Sequence, residues 1–487
     1  MRAKGVGVVC FAVALLSATF AAAAAGSDLR LIEASKRADE AAVKALVASG
    51  VDVNAQANDG ATALHWAAEQ GELAAADLLL RKGANVNAAT DLGITPLWIA
   101  ANNSSTAIVA RLLEAGADPN IAPPTNGTPL MNAARRGNAE AVKAMLARGA
   151  DPNVKEDASG QTALMWAAAG RHPDVVRLLL AAHADVKART KSYTQRVMLC
   201  CQYYEHDDRG IDVVARGGFT PLFFAAQYGD VESARLLLAA GADVNDSAPD
   251  GTSPLVVAAH GGHPAMVTAL LDAGADANSA SAGYTALHVA ATRGDVAMVR
   301  ALLAHNANIN ARQQKGSPTK RIRSGHSLDW AMTGATPYLL AVRGGNAEVM
   351  RLLAASGADT SLPLADGRTA LMVLAGRGTE NGPVVSEAQA IEMLKLAVQL
   401  GTKINQADIN GDTALHVAAA RRRDELVQAL VDTGAALNAR NRKGETPLTT
   451  AIKPPAERHG SGISDDYEYI VKHTSTAALL RKLGAKT

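Results

Sequence analysis

Aromatic side chains make up only 3% of this 487-residue chain, and cysteine occurs just three times. With so few rings, most of the 48% apolar fraction is Ala, Leu and Val, a composition that suits close helix-on-helix packing. Cys10 lies in an apolar N-terminal run, so only Cys200 and Cys201 follow it, which excludes a disulfide framework and leaves stability to packing. A charge excess of one sign is missing as well. The 48 basic and 47 acidic residues give a net charge of +1, which excludes a strong general pull toward nucleic acid or an anionic membrane. After residue 25 no stretch is apolar enough to span a bilayer. G-x-S-x-G, Walker, H-E-x-x-H and dinucleotide signatures are absent too, so a non-enzymatic chain without cofactor is expected.

What is present begins with a short positive start, Arg2 and Lys4, and an apolar run from Gly5 to about Ala25 that ends in small residues. This order reads as a secretory signal over residues 1–25, cleaved around Ala23 to Gly26, and predicts a secreted or periplasmic protein. The alternative is a chain tethered to the membrane by an uncleaved segment. Loss of Arg2 and Lys4 leaves 46 basic against 47 acidic residues, a mature net charge of −1.

The remainder, 26–487, is periodic. Thr62, Thr95, Thr128, Thr162, Thr220, Ser253, Thr285, Thr336, Thr369, Thr413 and Thr446 recur before Ala-Leu, Pro-Leu or, at Thr336, Pro-Tyr. Their intervals are 33, 33, 34, 58, 33, 32, 51, 33, 44 and 33, so seven lie within one residue of 33 and three exceed it by 25, 18 and 11. The excesses predict inserts at about 190–216, 313–332 and 379–389, and a Pro/Gly-rich excursion at about 453–470 interrupts the last unit. A second series in step with the first, including Gly50, Gly83, Gly116 and Gly149, closes Leu-rich segments; His183 and Asn306 take the same slot.

Each recurring residue has a mechanical reason. Thr caps a first helix and Pro fits its first turn. Leu64 with Ala67 and Ala68 makes an apolar stripe with small residues where helices meet. Gly nine residues after the anchor, present in seven of eleven units, turns the chain into a second helix of V-x-x-L-L type, and the closing Gly takes a left-handed cap. An initial unit at 28–57 lacks the Thr anchor and carries Asp28, Arg30, Lys36 and Arg37 on a polar outer side, as a terminal cap requires.

With T-A-L-H-W-A-A at Thr62–Ala68, T-A-L-H-V-A-A at Thr285–Ala291 and again at Thr413–Ala419, and G-A-D-V-N at Gly241–Asn245, the chain closely resembles the ankyrin-repeat family from Asp28 to Lys486. It further resembles large exported bacterial members. The resemblance implies an all-α repeat solenoid of about twelve helix-turn-helix units with β-turn fingers, and a concave face that binds another protein. A monomer is expected.

Mapped onto the chain, that face takes Trp66, Glu69, Gln70, Trp98, Asn102, Asn103, Asn132, Arg135, Arg136 and Trp166, then Phe224, Gln227, Tyr228, His260 and Arg293. Trp66, Trp98 and Trp166, three of the four Trp residues, fall in the N-terminal half, where aromatics and Arg together suit an interface hot spot. The competing reading is that these rings fill gaps between repeats. His65, His288 and His416 are read as structural bridges from their own Thr to a neighbouring finger. In the first insert, Cys200 and Cys201 beside His206, Asp207 and Asp208 lack C-x-x-C spacing, so a vicinal disulfide, or simple burial of the loop's apolar part, is preferred over an enzyme or metal site, and no metal is expected. A spacer or adaptor rod of the cell envelope is the alternative to a protein-binding scaffold.

Overall fold

A 33-residue period has room for two helices of about two turns each, and the residues form them. A computed structural model describes residues 28–124, 127–198, 211–315, 332–376, 386–452 and 475–486. Among these, helices pair down the chain from Arg30–Lys36 with Glu40–Ala48 to Pro447–Ile452 with 475–482, twelve pairs in all. The described residues pack as two bodies, those within 1–193 and 217–244 and those within 194–216 and 245–487. Within each, first helices pack on first helices and second on second, around buried residues such as Leu64, Ala67, Ala68 and Leu79 or Leu255, Ala258, Ala259 and Leu270.

The caps follow from the residues. Thr95 Oγ1 accepts the Trp98 N–H at 3.2 Å with Pro96 in the first turn, and Ser253, where Ser replaces Thr, does the same for Val256 at 3.4 Å. Second helices end in the left-handed region at Gly149 (φ 82°), and His183 and Asn306 adopt it too at φ 62° and 60°. A Cβ added at Gly149 would meet nothing within 4 Å, so glycine is favoured there for its backbone freedom and not for space.

The turn that follows locks one repeat to the next. Asn87 Nδ2 donates to Gly116 O at 3.4 Å while its Oδ1 accepts the Asp118 N–H at 2.8 Å; Asn120 does the same with Gly149 and Asp151 at 3.0 and 2.9 Å. In the second body Asn245 bridges Gly274 and Asp276 in the same way. Lys187 and Ser361 occupy the equivalent position in two repeats.

Two of the long intervals are explained by the fingers. An ordinary finger closes over four positions: Thr90 N–H donates to Ile94 O at 2.9 Å, and Ile94 N–H returns to Thr90 Oγ1 at 3.2 Å. In the 58-residue interval the same two bonds join Thr190 and Phe219, 29 positions apart, at 3.1 and 3.0 Å. The 25 extra positions equal the excess of that interval over 33. Gln313 N–H donates to Ala335 O across 22 positions, and those 18 extra equal the excess of the 51-residue interval. The first insert is therefore the finger drawn out, and its described ends pair as a two-stranded sheet, Ser192–Met198 with Ile211–Gly217, which adds a β ribbon to the all-helical expectation. The third differs. Residues at the end of the stretch read as the 379–389 insert are helical, because Ser386 Oγ accepts the Gln389 N–H at 3.2 Å and opens Glu387–Gln399, a 13-residue second helix. Residues 1–27 and the excursion at about 453–470 lie outside the described residues.

The three histidines tie helix starts to fingers. Thr285 N–H donates to His288 Nδ1 at 3.1 Å, so Nδ1 is unprotonated, and Nε2–H faces Ala311 O and Ala335 O at 3.1 and 3.2 Å. His65 joins Thr62 to Ile94 O, and His416 joins Thr413 to Glu445 O, in the same way. Burial holds His288 down at about 4, and burial also lowers His65.

Two outcomes are expected. Deleting residues 192–216 rebuilds a four-position finger, Thr190 to Phe219, and should leave the melting temperature within a few degrees, because a long loop adds only about 1–2 kcal/mol of closure entropy. Loss of the cooperative transition would refute that placement of the insert. For His288 the folded-state value lies below the unfolded one, so its contribution is complete above pH ~6.5 and is lost as pH falls toward 4, on the order of 3 kcal/mol. Urea melts at pH 7 and pH 4.5 of the wild type and His288→Gln read this. The variant keeps a capping side chain without the titration and should show the smaller acid loss.

Candidate functional site

The residues seven and eight positions after each anchor end the first helices, where carbonyls lack intrahelical partners. In the first body these positions are Glu69 and Gln70, Asn102 and Asn103, Arg135 and Arg136, Ala169 and Gly170, and Gln227 and Tyr228. Several are engaged with a neighbouring repeat. Gln70 Nε2 donates to Lys36 O at 3.1 Å, Asn103 Nδ2 donates to Glu69 O and Oε2 at 3.2 and 3.0 Å, and Arg135 Nη2 donates to Asn102 Oδ1 at 2.9 Å. His172, which the sequence reading did not single out, bonds Arg135 O through Nε2 at 3.1 Å. The signal for these links is a long polar side chain recurring at fixed distance from the anchor, and it is the same signal that suggests a binding surface.

The three tryptophans divide. Trp98 Nε1 donates to Gly127 O at 3.0 Å and so pins the next finger. Trp66 and Trp166 carry cations instead: Lys36 Nζ lies 5.2 Å from the Trp66 ring centroid and Arg135 Cζ lies 5.0 Å from that of Trp166. Both rings are half-buried, and their Nε1 donors are buried without a hydrogen-bond partner. Arg135 also reaches Asn132 Oδ1 at 3.3 Å, and burial first, then Arg136, pulls its pKa below the ordinary guanidinium value. Arg136 is exposed and borders an open groove of about 530 Å³ with Glu69, Gln70, Asn102, Asn103, Ser104 and Ser105.

Two expected surface residues lie elsewhere. Asn132 is only 1% exposed, covered on a helix whose first four residues are all buried. Phe224, at 9% exposure, packs edge-on to Phe219 with centroids 6.4 Å apart; Tyr228 on the same helix is 42% exposed. In the second body His260 Nε2 lies 3.3 Å from Tyr284 Oη, the rings edge-on at 5.7 Å, and Arg293 Nη1 donates to His260 O at 3.1 Å. Burial raises the Tyr284 phenol well above its usual value. His260 and Arg293 thus have partners within the body. Cys200 and Cys201 lie outside the described residues. Among the described residues no three His, Cys, Asp or Glu side chains gather as metal ligands, and no helix is long and apolar enough to cross a membrane.

A family model described as ankyrin repeats (3 copies) matches residues 31–123, 120–190, 222–313 and 384–459, together more than half of the chain. The gap between the second and third matches spans the β ribbon, yet that between the third and fourth contains an intact helix pair, Pro337–Gly344 with Ala347–Ala355. The chain is 32% identical over 102 residues to neurogenic locus notch homolog protein 1 of Homo sapiens, covering 20% of this chain and 4% of that one. It is 28% identical over 137 residues to ankyrin repeat protein OPG189 of Variola virus, covering 26% of this chain and 22% of the relative. The matched stretch is thus under a quarter of the length of either. A solved human ASB11 ankyrin repeat domain is 29% identical with a TM-score of 0.40, over 50% of this chain and 98% of that one.

The division among the tryptophans is testable. Trp98→Phe leaves Gly127 O without its donor and should cost about 1 kcal/mol of stability. Arg136→Ala removes an exposed side chain and should change the denaturation midpoint by less than about 0.5 kcal/mol equivalent. Equal midpoints for both variants would sink the distinction.

Proposed function

The chain belongs to the ankyrin-repeat family, and from that premise we propose that it is a non-catalytic scaffold that binds another protein along the first-helix ends of its N-terminal repeats. Ankyrin-repeat proteins are typically binding scaffolds. The observation that carries the placement is the pair of half-buried indoles, Trp66 and Trp166, each with a cation over its ring, in the body whose first-helix ends also border the groove at Arg136. Aromatic and Arg side chains held in place by their neighbours are the groups that dominate interface energies, since little rotamer freedom is lost when a partner docks. Glu69, Asn102 and Asn103 supply a polar rim whose hydrogen bonds already fix them.

The secretory reading of residues 1–25 is retained in the proposal: the scaffold works outside the cytoplasm, where the small-residue end of that run supplies a cleavage site.

One experiment addresses both. The full chain is expressed with a C-terminal tag, crosslinked in cells and recovered from fractions, with the wild type compared against Arg136→Glu by quantitative mass spectrometry. The expected result is a stoichiometric partner depleted several-fold in the variant, on a chain whose first residue lies near Ala24 to Gly26. Recovery of the same partners with both chains would remove the assigned surface, and a self-associated chain with no other protein would favour the spacer rod. An N-terminus at Met1 in the cytoplasmic fraction would reject export.

A further inference from the structure

We propose that the partner segment received at the groove of the N-terminal repeats is an extended, uncharged stretch of peptide, recognised by its main chain. The proposal rests on the protein-binding reading and names the chemistry of its ligand. Three carboxamides border the groove, and each has spent one half on a neighbouring repeat. Gln70 Nε2 donates to Lys36 O at 3.1 Å, Asn103 Nδ2 donates to Glu69 O at 3.2 Å, and Asn102 Oδ1 accepts from Arg135 Nη2 at 2.9 Å. Those partners fix which way round each amide stands, since a carbonyl admits only the NH2 half and a guanidinium only the oxygen. The halves left over are two acceptors, Gln70 Oε1 and Asn103 Oδ1, and one donor, Asn102 Nδ2. None of them has a partner among the described residues.

Donors and acceptors held side by side match a peptide main chain, which offers an N–H and a C=O at nearly every residue. The charges agree. Glu69 and Arg136 border the groove with opposite signs, so they cancel and neither an acidic nor a basic ligand is favoured. No aromatic ring lines it among the described residues, so it lacks the flat apolar face on which a sugar ring stacks. Residues 69–70, 102–105 and 136 come from three consecutive repeats, and helices about 8–10 Å apart give a length on the order of 20 Å. That is room for about six residues of extended chain. Ser104 holds φ 60° in the slot that the neighbouring repeats fill with Gly71 and Gly137, and its hydroxyl bonds nothing among the described residues. A strained serine kept where glycine fits better points to a use for that hydroxyl at the groove.

The test is selection of a random-peptide display library on the immobilised full chain, followed by titration of the enriched peptide and its single N-methyl analogues. N-methylation of at least one central residue should weaken binding about tenfold or more, whereas alanine at the same residue should change it less than about threefold. Raising the salt from about 0.05 to 0.5 M should leave the affinity within about twofold. Asn102→Asp keeps the oxygen that meets Arg135 and turns the free donor into an acceptor, so affinity should fall about tenfold. Ser104→Gly should weaken binding several-fold with a melting temperature no lower than that of the wild type. Circular dichroism melts check that both variants fold. Enriched peptides that share a charged residue and lose binding at high salt would overturn main-chain recognition and leave protein binding standing. So would a peptide indifferent to N-methylation or to Asn102→Asp. An arrayed oligosaccharide bound by the wild type and lost with Asn102→Asp would assign the groove to sugar instead. No peptide enriched above background would also overturn the inference, while the crosslinked partners decide the protein-binding reading separately.

Discussion

A helix of seven to nine residues cannot satisfy its own last carbonyls, and this chain is built from little else. The carbonyls that a helix leaves over are met here by side chains from the neighbouring repeat. Asn87 takes the Gly116 carbonyl and Asn103 that of Glu69, while His65 ties its helix start to the Ile94 carbonyl of the next finger. Each bond spans roughly one period of sequence, so a single repeat in isolation would expose every one of these groups along with one face of its Leu and Ala stripe. Isolated helices of this length are marginal in water in any case. Stability therefore belongs to adjacent pairs of repeats and not to any one of them.

The same constraint bears on the binding surface. Polar side chains at first-helix ends are the ones able to meet a partner, and also the ones placed to meet a neighbour's carbonyl. Gln70, Asn103 and Arg293 are committed to the second task. Arg135 differs, because its bonds go to side-chain amides through a single nitrogen, and both it and Arg136 are exposed. The stacked cations on Trp66 and Trp166 work in both senses: they cover apolar ring faces between repeats and hold charge in a fixed place. Gap-filling and recognition are therefore shared out among the tryptophans, with Trp98 on the structural side through its bond to Gly127.

Much of the fold was legible because the signals were local and repeated. Thr before Pro-Leu, the Ala pair and the closing Gly each act within one helix or turn, and a dozen copies made the register plain. The histidine bridges were legible for the same reason, since Thr and His stand three residues apart in one turn. The site was less so. Lys36 over Trp66 and Arg135 over Trp166 join residues about 30 positions apart, and composition does not say which polar residue reaches back and which is free. Asn132 and Phe224 were placed on the surface from their slot in the repeat, but the helices Pro129–Arg136 and Pro221–Tyr228 are apolar-faced enough to bury them. The β ribbon was hidden because an interval measures the size of an insert and not its shape.

The inserts show how the repeat tolerates length. What a finger contributes to its neighbours is made at its base: the Thr190–Phe219 pair of bonds, or the Ala311 and Ala335 carbonyls facing His288. Beyond that base, extra residues cost only the slow logarithm of loop closure, whereas one residue added inside a helix would rotate its apolar stripe by about 100° away from the core. The 34-residue interval obeys this too: Glu156 N–H closes on Gln161 O across five positions, and the Glu156 carboxylate accepts the Ala158, Ser159 and Gln161 N–H groups that the longer tip exposes. Those bonds outweigh the burial that would otherwise raise it and hold this carboxyl below its ordinary value. Where length entered the helical layer instead, ahead of Glu387–Gln399, the added turns came with their own Ser386 and Gln389 cap, as a helix given a new start requires.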